Sequence, residues 1–359
     1  MRRAAALIVG GGPAGSAAAI ALARAGAAPL LVERRSAPQD VVCGGFLGWD
    51  ALAALERLGV DPWALGARPI ERLRLVAGRK TAEAALPRRA AGLSRRTLDE
   101  AMLGAAAEAG AEVLRGRSVR HAEPHVRQVR LDDDQWVEAE SLFLATGKHE
   151  LRGAPRIGAA IDKAPVGLRA SVAVPEGLDG WIELHLFDGG YAGLLVQEDG
   201  SANLCLSVSR ERLRAAGGVE ALAGMLLEEN PALAERVGGG VAGGWSAVAG
   251  VPYGWRERET EPGVFRIGDR GAVIASLAGD GIAIALASAA HAAAAFVSHG
   301  PDGAWHAQRS FSARAARPVE VAEALRWAAE RRLPRKAMMG VLRAFPGLAP
   351  LAARLTRIA

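Results

Sequence analysis

Cysteine is nearly absent: the 359 residues hold Cys43 and Cys205 and no other. Two thiols so far apart exclude a disulfide scaffold and a cysteine-based zinc site. The seven histidines (121, 125, 149, 185, 291, 299, 306) show neither HExxH nor another paired spacing, so no metal is implied. Aromatic residues make up only 5% of the chain, and neither a helix-turn-helix nor an aromatic ribonucleoprotein signature occurs. The net charge of +5 comes from scattered arginines, so nucleic-acid binding gains no support. No uninterrupted apolar run reaches the ~18 residues of a membrane span. The start, MRRAAALIVGGG, is basic and then apolar, but it enters a glycine turn without a cleavage-site region, so it reads as a strand. A cytoplasmic protein is expected. An apolar content of 50% supplies the core of one large domain or two intertwined ones.

Glycine, by contrast, is plentiful, and its first cluster organises the chain. Residues 4–35 read AAALIVGGGPAGSAAAIALARAGAAPLLVERR: strand, glycine turn, small-residue helix from about Pro13 to Ala25, second strand, acid. Gly10 suits the tight turn, Gly12 lets backbone approach a pyrophosphate, and Gly15 lets the helix lie close on the strand. Pro13 and Ala14 open the helix, whose free N–H groups and dipole favour phosphate. Glu33, followed by Arg34, lies 33 − 10 = 23 residues past the first glycine, where a carboxylate accepts from ribose hydroxyls and repels a 2′-phosphate. A dinucleotide site follows from this order.

Further on, Cys43, Gly44 and Gly45 precede a helix bearing Leu52, Leu55 and Leu58. The glycine pair lets backbone approach something flat, and Cys43 either faces the same thing or is a buried thiol beside an ordinary turn. Residues 70–92 read as a short β excursion. A helix from about Thr97 to Ala109 has Ser94 or Thr97 as cap, with Glu100 completing a capping box to Thr97. Arg95 at its start either reaches an anion or is a solvated surface arginine. Strand pieces at 112–114, 126–131 and 136–139 lead to an apolar strand, Leu142 to Ala145, ending in Thr146-Gly147 at a ligand crevice.

Between about 155 and 254, alternating segments joined by turns, one the hairpin Glu198 to Ser201, predict an antiparallel sheet interrupted by a helix near 210–229. Phe265 to Ile267 is a strand closed by Gly268-Asp269, and Gly279-Asp280-Gly281 opens a long helix near Ile282. A carboxylate at Asp269 suits a polyol hydroxyl. The helix N-terminus suits the N1/C2=O edge of a flavin, where negative charge develops on reduction. From Pro318 on, three helical pieces broken at Pro334, Pro346 and Pro350 are expected. From Arg331 the tail carries basic residues at 331, 332, 335, 336, 343, 354 and 357, no acid, and interleaved apolar ones. Such a tail either packs on its own domain or touches a membrane surface or acidic partner.

The divisions expected are therefore 1–155, nucleotide-binding with the excursion at 70–92; 156–254, the antiparallel substrate sheet; 255–310, the second nucleotide part; and 311–359, helical. These residues together resemble the FAD-dependent oxidoreductases of the glutathione-reductase type, in the branch holding para-hydroxybenzoate hydroxylase-like monooxygenases and geranylgeranyl reductases. The resemblance runs along nearly the whole chain. It rests on GxGxxGxxxAxxLxxxG…E at Gly10, Gly12, Gly15, Ala19, Leu22, Gly26 and Glu33, an Arg-x-x-Leu-Asp segment at Arg95 to Asp99, Gly268-Asp269, and Gly279 to Ile282. It implies an α/β fold, a Rossmann-like FAD-binding domain with an inserted antiparallel β-sheet substrate domain and C-terminal helices.

It also implies FAD held by Gly10, Gly12, Pro13, Ala14, Gly15, Glu33, Arg34, Arg95, Ala145, Gly147, Asp269, Gly279, Gly281 and Ile282. NAD(P)H is the expected electron donor. In the reductases a Cys-Gly-Gly-Gly stretch approaches the flavin ring, which puts Cys43, Gly44 and Gly45 at the reacting centre. The chain departs from the hydroxylases at LATGK, from many members at Ala275-Ser276, and from the reductases' aromatic-proline segment at Tyr191 to Val196. The expected function is a monooxygenase acting on an apolar or aromatic small molecule. The alternatives are a geranylgeranyl reductase-like enzyme and a non-catalytic flavin-binding protein.

Overall fold

The computed structural model describes residues 2–238 and 240–358. The chain opens with β1 (Arg2–Val9), α1 (Pro13–Arg24) and β2 (Pro29–Glu33). Leu7 to Val9 and Leu30 to Val32 are buried without alternation, as strands covered on both faces must be. They pair in parallel, with Leu7 opposite Leu30. There follow β3 (Phe46–Leu47), α2 (Trp49–Arg57), β4 (Arg68–Ala77), β5 (Lys80–Gly92) and α3 (Arg95–Glu108). Next come β6 (Glu112–Arg115), β7 (Val119–Glu123), β8 (Gln128–Leu131) and β9 (Trp136–Leu144). The middle of the chain supplies β10 (Val166–Val172), β11 (Gly180–Phe187), β12 (Gly190–Val196), β13 (Ala202–Val208), α4 (Arg210–Ala216), α5 (Val219–Glu229), α6 (Pro231–Val237) and β14 (Ala242–Ala249). Last are β15 (Val264–Arg266), α7 (Gly281–His299), α8 (Gly303–Ala329), α9 (Arg332–Ala344) and α10 (Leu348–Leu355).

Two sheets result. The first has the order β6-β2-β1-β9-β8-β7, with β15 also on β9; its parallel centre is sandwiched by helices. The alanine faces of α1 and α7 let these helices lie close together in its core. Phe143 and Phe265 stack at 4.6 Å between centroids, with Phe296 edge-on, and lock β9, β15 and α7 together. The second sheet has the order β14-β10-β13-β12-β11-β4-β5-β3. The α/β class and the two-part architecture are as expected.

Several local expectations are corrected. Residues 70–92 are no excursion from the nucleotide half: β4 and β5 belong to the second sheet, and β4 runs parallel to β11, with Leu75 opposite Leu184. That sheet is therefore mixed rather than antiparallel and extends beyond 156–254. The pieces at 136–139 and 142–145 form one strand, β9, because Ser141 is buried within it rather than starting a turn. Helix α3 starts at Arg95, capped by Ser94, whose hydroxyl accepts from the Thr97 N–H at 3.1 Å; Glu100 pairs with Arg115 at 2.7 Å instead of closing a box. The helix near 210–229 is two, α4 and α5, separated at Gly217 with its φ of +80°.

The boundary at 310/311 falls inside α8, which also contains Pro318. The breaks lie at Glu330–Arg331 and at 345–347, the second including Pro346 as expected. Pro334 and Pro350 sit in first helical turns, where the missing N–H would have had no partner anyway.

Candidate functional site

The C-terminal ends of β1 and β9 open onto a cavity of about 840 Å³ that reaches between the two sheets. At one end β1 turns into α1. Gly10 takes φ +109°, and a Cβ there would come within 2.5 Å of the Ala145 carbonyl oxygen. A side chain at Gly15 would overlap the Gly10 carbonyl; Gly15 thus seats the helix under the turn, while Gly10, Gly12, Pro13 and Ala14 face the cavity. The Glu33 carboxylate is fixed at the end of β2, accepting from the Gly11 N–H at 2.7 Å and the Arg35 N–H at 2.9 Å. Its remaining lone pairs are available to hydroxyls of a ligand.

Arg34 also lines the cavity and donates to His149 at 2.8 Å; burial first, and Arg34 second, keep that imidazole neutral by lowering its pKa. Arg95 is a cavity residue rather than a solvated one. It binds both oxygens of Asp99 at 2.7 Å and lies 3.3 Å from where a Gly12 Cβ would stand. Burial opposes its charge, but Asp99 outweighs that and holds the guanidinium firmly protonated. A fixed cation thus sits over the glycine turn.

Next to this turn Ala145 and Gly147 follow β9 and Asp269 follows β15, and Gly279, Gly281 and Ile282 open α7; all six line the same cavity. Cys43, Gly44 and Gly45 form its side wall, with Cys43 beside the Arg95 guanidinium. All the sequence-predicted residues except Gly15, which packs beneath the turn, line one space.

Four groups in or beside the cavity are additional to them. Lys148 is partly buried and donates to the Val42 carbonyl at 2.6 Å; although burial opposes its charge, the nearby Cys43 and Asp269 outweigh it and raise its pKa. Its signal was the LATGK departure. Asn203 of β13 donates to the Cys43 and Gly44 carbonyls at 3.0 and 2.8 Å. Its own carbonyl accepts from Arg169 at 2.8 Å, and Arg169 pairs with Asp40 at 3.1 Å. The second sheet thereby holds the loop that carries Cys43. Cys205 also reaches the cavity, and burial pushes its thiol up to about 12, so it stays neutral. Finally, both tyrosines of the chain bond one hydroxyl: Tyr191 and Tyr253 converge on Ser276, the latter at 2.7 Å. Burial raises Tyr191 well above 10, so its phenol keeps its proton.

Beyond this cluster the walls are aliphatic, with Leu73, Leu75, Leu86 and Leu184 from the second sheet and Met338 and Leu342 from α9. The glycine cradle, the acid after β2, the cation over the turn, the carboxylate after β15 and the N-terminus of α7 fit an extended dinucleotide. A flat ring would then meet Cys43 to Gly45 and the second sheet.

The chain matches the FAD binding domain family over residues 3–160. Menaquinone reductase of Mycolicibacterium smegmatis is 31% identical over 196 residues, 51% of this chain and 48% of that protein. Digeranylgeranylglycerophospholipid reductase 2 of Methanopyrus kandleri is 28% identical over 309 residues, 78% of this chain and 73% of that one. The chain spans about half the length of the menaquinone reductases it matches. Among solved structures, a flavin-dependent brominase superposes with TM-score 0.81 at 16% identity, covering 99% of this chain and 93% of its own. A geranylgeranyl bacteriochlorophyll reductase-like protein from Thermoplasma acidophilum superposes with TM-score 0.76 at 19% identity, covering 100% and 94%. Residues 3–160 are thus an FAD binding domain, and the chain along its whole length shares its fold with flavin-dependent and geranylgeranyl reductase-like proteins of solved structure.

Proposed function

We propose that the protein reduces a carbon–carbon double bond in a long isoprenoid chain. The carrying observation is the aliphatic wall beyond the Tyr191–Ser276–Tyr253 cluster, which suits a flexible hydrocarbon better than a planar, polar ring. The relatives named for menaquinone and for a digeranylgeranyl lipid, both of which carry isoprenoid chains, support this reading. FAD, when bound and reduced by a donor such as NAD(P)H, supplies hydride to one alkene carbon. The chain's own residues do the rest. The Gly10–Gly12 cradle and Arg95 would hold the FAD pyrophosphate and Glu33 its ribose. The α7 N-terminus would stabilise negative charge on the reduced ring, and the aliphatic walls orient the chain and exclude water. The other carbon needs a proton. Tyr191 Oη, kept protonated and linked through Ser276 to the more open Tyr253, is the group that can hold and pass one on.

The test is anaerobic turnover of a geranylgeranyl lipid with chemically reduced holoprotein. Gain of two hydrogens per double bond is expected, and Tyr191→Phe should slow that step about 10²-fold without slowing flavin reduction by the donor. A second reading, hydroxylation of an aromatic small molecule, draws on the same hydroxyl cluster, which can bond a phenolic oxygen. Oxygen-dependent gain of one oxygen atom, with no anaerobic product, would establish it and overturn the reductase.

Lipid substrates imply an approach from a bilayer. Trp327, Leu333, Val341, Phe345, Leu348 and Leu351 are exposed beside Arg331, Arg332, Lys336, Arg343 and Arg354, while Met338 and Leu342 of the same helix α9 line the cavity. This face is proposed to rest on anionic lipid. Co-sedimentation with phosphatidylglycerol vesicles that weakens in high salt is expected; no binding by Phe345→Glu, against clear binding by the parent, would locate the contact.

A further inference from the structure

Asp280, the residue between Gly279 and Gly281, has a side chain wholly shielded from solvent at the N-terminal turn of α7. It faces two charged groups. Arg357, just after α10, donates through Nη1 to its Oδ1, and Asp50 of α2 presents Oδ1 3.6 Å from the same Nη1. The guanidinium lies over the Trp49 ring at 4.5 Å, and its Nε donates to the Ala353 carbonyl at 3.2 Å. Both Arg357 and Asp50 side chains are more than nine-tenths buried.

An independent observation shows that the fold is shaped around this contact. Gly48 has φ −68°, which any residue can adopt, yet a Cβ there would overlap Arg357 Nη1. A side chain at 48 would therefore push the guanidinium out of its present seat, although the backbone there would accept one. Next to Arg357, Ile358 is buried in the main core, and its carbonyl accepts from Arg314 at 3.1 Å. The segment after α10 is therefore seated in the molecule, and Arg357 itself lines the cavity.

The charges leave a residue of chemistry to account for. Two carboxyls share one guanidinium, and Asp280 Oδ2 and Asp50 Oδ2 are buried without a hydrogen-bond partner among the described residues. A negative charge lodged in the first turn of α7 would cancel the helix dipole where it is needed. We propose that Arg357 is a positioning residue of the flavin site: it gathers Asp50 and Asp280 under the first turn of α7 and sets the charge this turn presents to the flavin. The segment after α10 is then part of the cofactor site. The inference rests on the FAD reading of the cavity.

Burial, the larger effect, raises Asp280 to about 8 against the pull of Arg357, so near neutral pH one proton remains in the cluster and the charges balance. Above that range a carboxylate appears at the helix start, faced by Arg357 and Asp50.

The experiment is a measurement of the flavin midpoint potential in wild-type holoprotein, Arg357→Met, Arg357→Lys and Asp280→Asn at pH 7 and pH 9. At pH 7 Arg357→Met should lower the relative affinity for reduced over oxidised FAD about tenfold, ~30 mV for a two-electron couple. Arg357→Lys, which keeps the charge, should retain most of the wild-type value. Between pH 7 and 9 the wild-type potential should fall further than that of Asp280→Asn. Identical potentials in wild type and an FAD-retaining Arg357→Met would make Arg357 a packing staple and overturn the proposal. Should Arg357→Met fail to fold, superimposable pH profiles of wild type and Asp280→Asn would overturn it. A wild-type chain that binds no FAD would instead sink the reading of the cavity, and does so before any variant is made.

Discussion

Asn203 lies 160 positions from Cys43, yet its amide holds the Cys43 and Gly44 carbonyls and so decides where the thiol and the glycine pair stand. No local pattern announces such a residue: an asparagine in an apolar strand looks like a defect until its partners are known. Lys148, Ser276 and Arg357 share this property, each becoming functional through a group far away in the chain. Gly10, Gly15 and Glu33 were legible because the turn they build is closed within one strand–helix–strand unit. Asn203→Ala leaves two carbonyls short of a donor, at a cost of about 1–3 kcal/mol where they cannot reach water. FAD binding followed by flavin fluorescence quenching should weaken at least fivefold, and the thermal midpoint should fall by about a few degrees. An unaltered dissociation constant would show that the loop is held by other contacts.

At the level of elements, the N-terminus of α3 shows what decides between the two caps the sequence offers, Ser94 and Thr97. Thr97 and Glu100 have capping-box spacing, but Ser94 lies three residues before Thr97, and a residue of the second sheet decides between them. Glu198, in the turn between β12 and β13, accepts from the Ser94 N–H at 2.8 Å and from the hydroxyls of Ser94 and Thr97, both at 2.5 Å. A carboxylate at a helix start satisfies free N–H groups and the dipole together. It also ties Arg95, the cation over the glycine turn, to the second sheet. Ser94→Ala should cost about 1–2 kcal/mol in urea unfolding. Glu198→Gln should cost a similar amount, and the double variant less than the sum, because the two share one network. Additive losses would mean that cap and sheet act independently.

In the whole molecule the two sheets are not laid out as consecutive blocks. β3, β4 and β5 leave the nucleotide half to extend the second sheet, and β14 closes it from the other side. Sequence texture finds strands but not partners, which is why the parallel pairing of β4 with β11 was out of reach while both strands were recognised. The pairing has an electrostatic counterpart. Glu183 of β11, with 2% of its side chain exposed, accepts from His185 at 2.9 Å, from Arg236 of α6 at 3.0 Å and from Arg74 of β4 at 3.1 Å. Burial pushes its carboxyl up, but hydrogen bonds from His185 and Arg236 outweigh that and hold it down to about 2, against 4.5 when free. A folded-state pKa below the unfolded one contributes stability that is present above the unfolded value and lost as pH falls through the folded one. The window is therefore from about 4.5 down to about 2. Glu183→Gln should lower stability at pH 7 by about 3 kcal/mol, since it leaves buried cations short of their partner. It should also lose less than the wild type on going from pH 5 to pH 2.5. Urea titrations at the three pH values read both effects, and parallel curves for the two proteins would mean that β4, β11 and α6 are joined by packing alone.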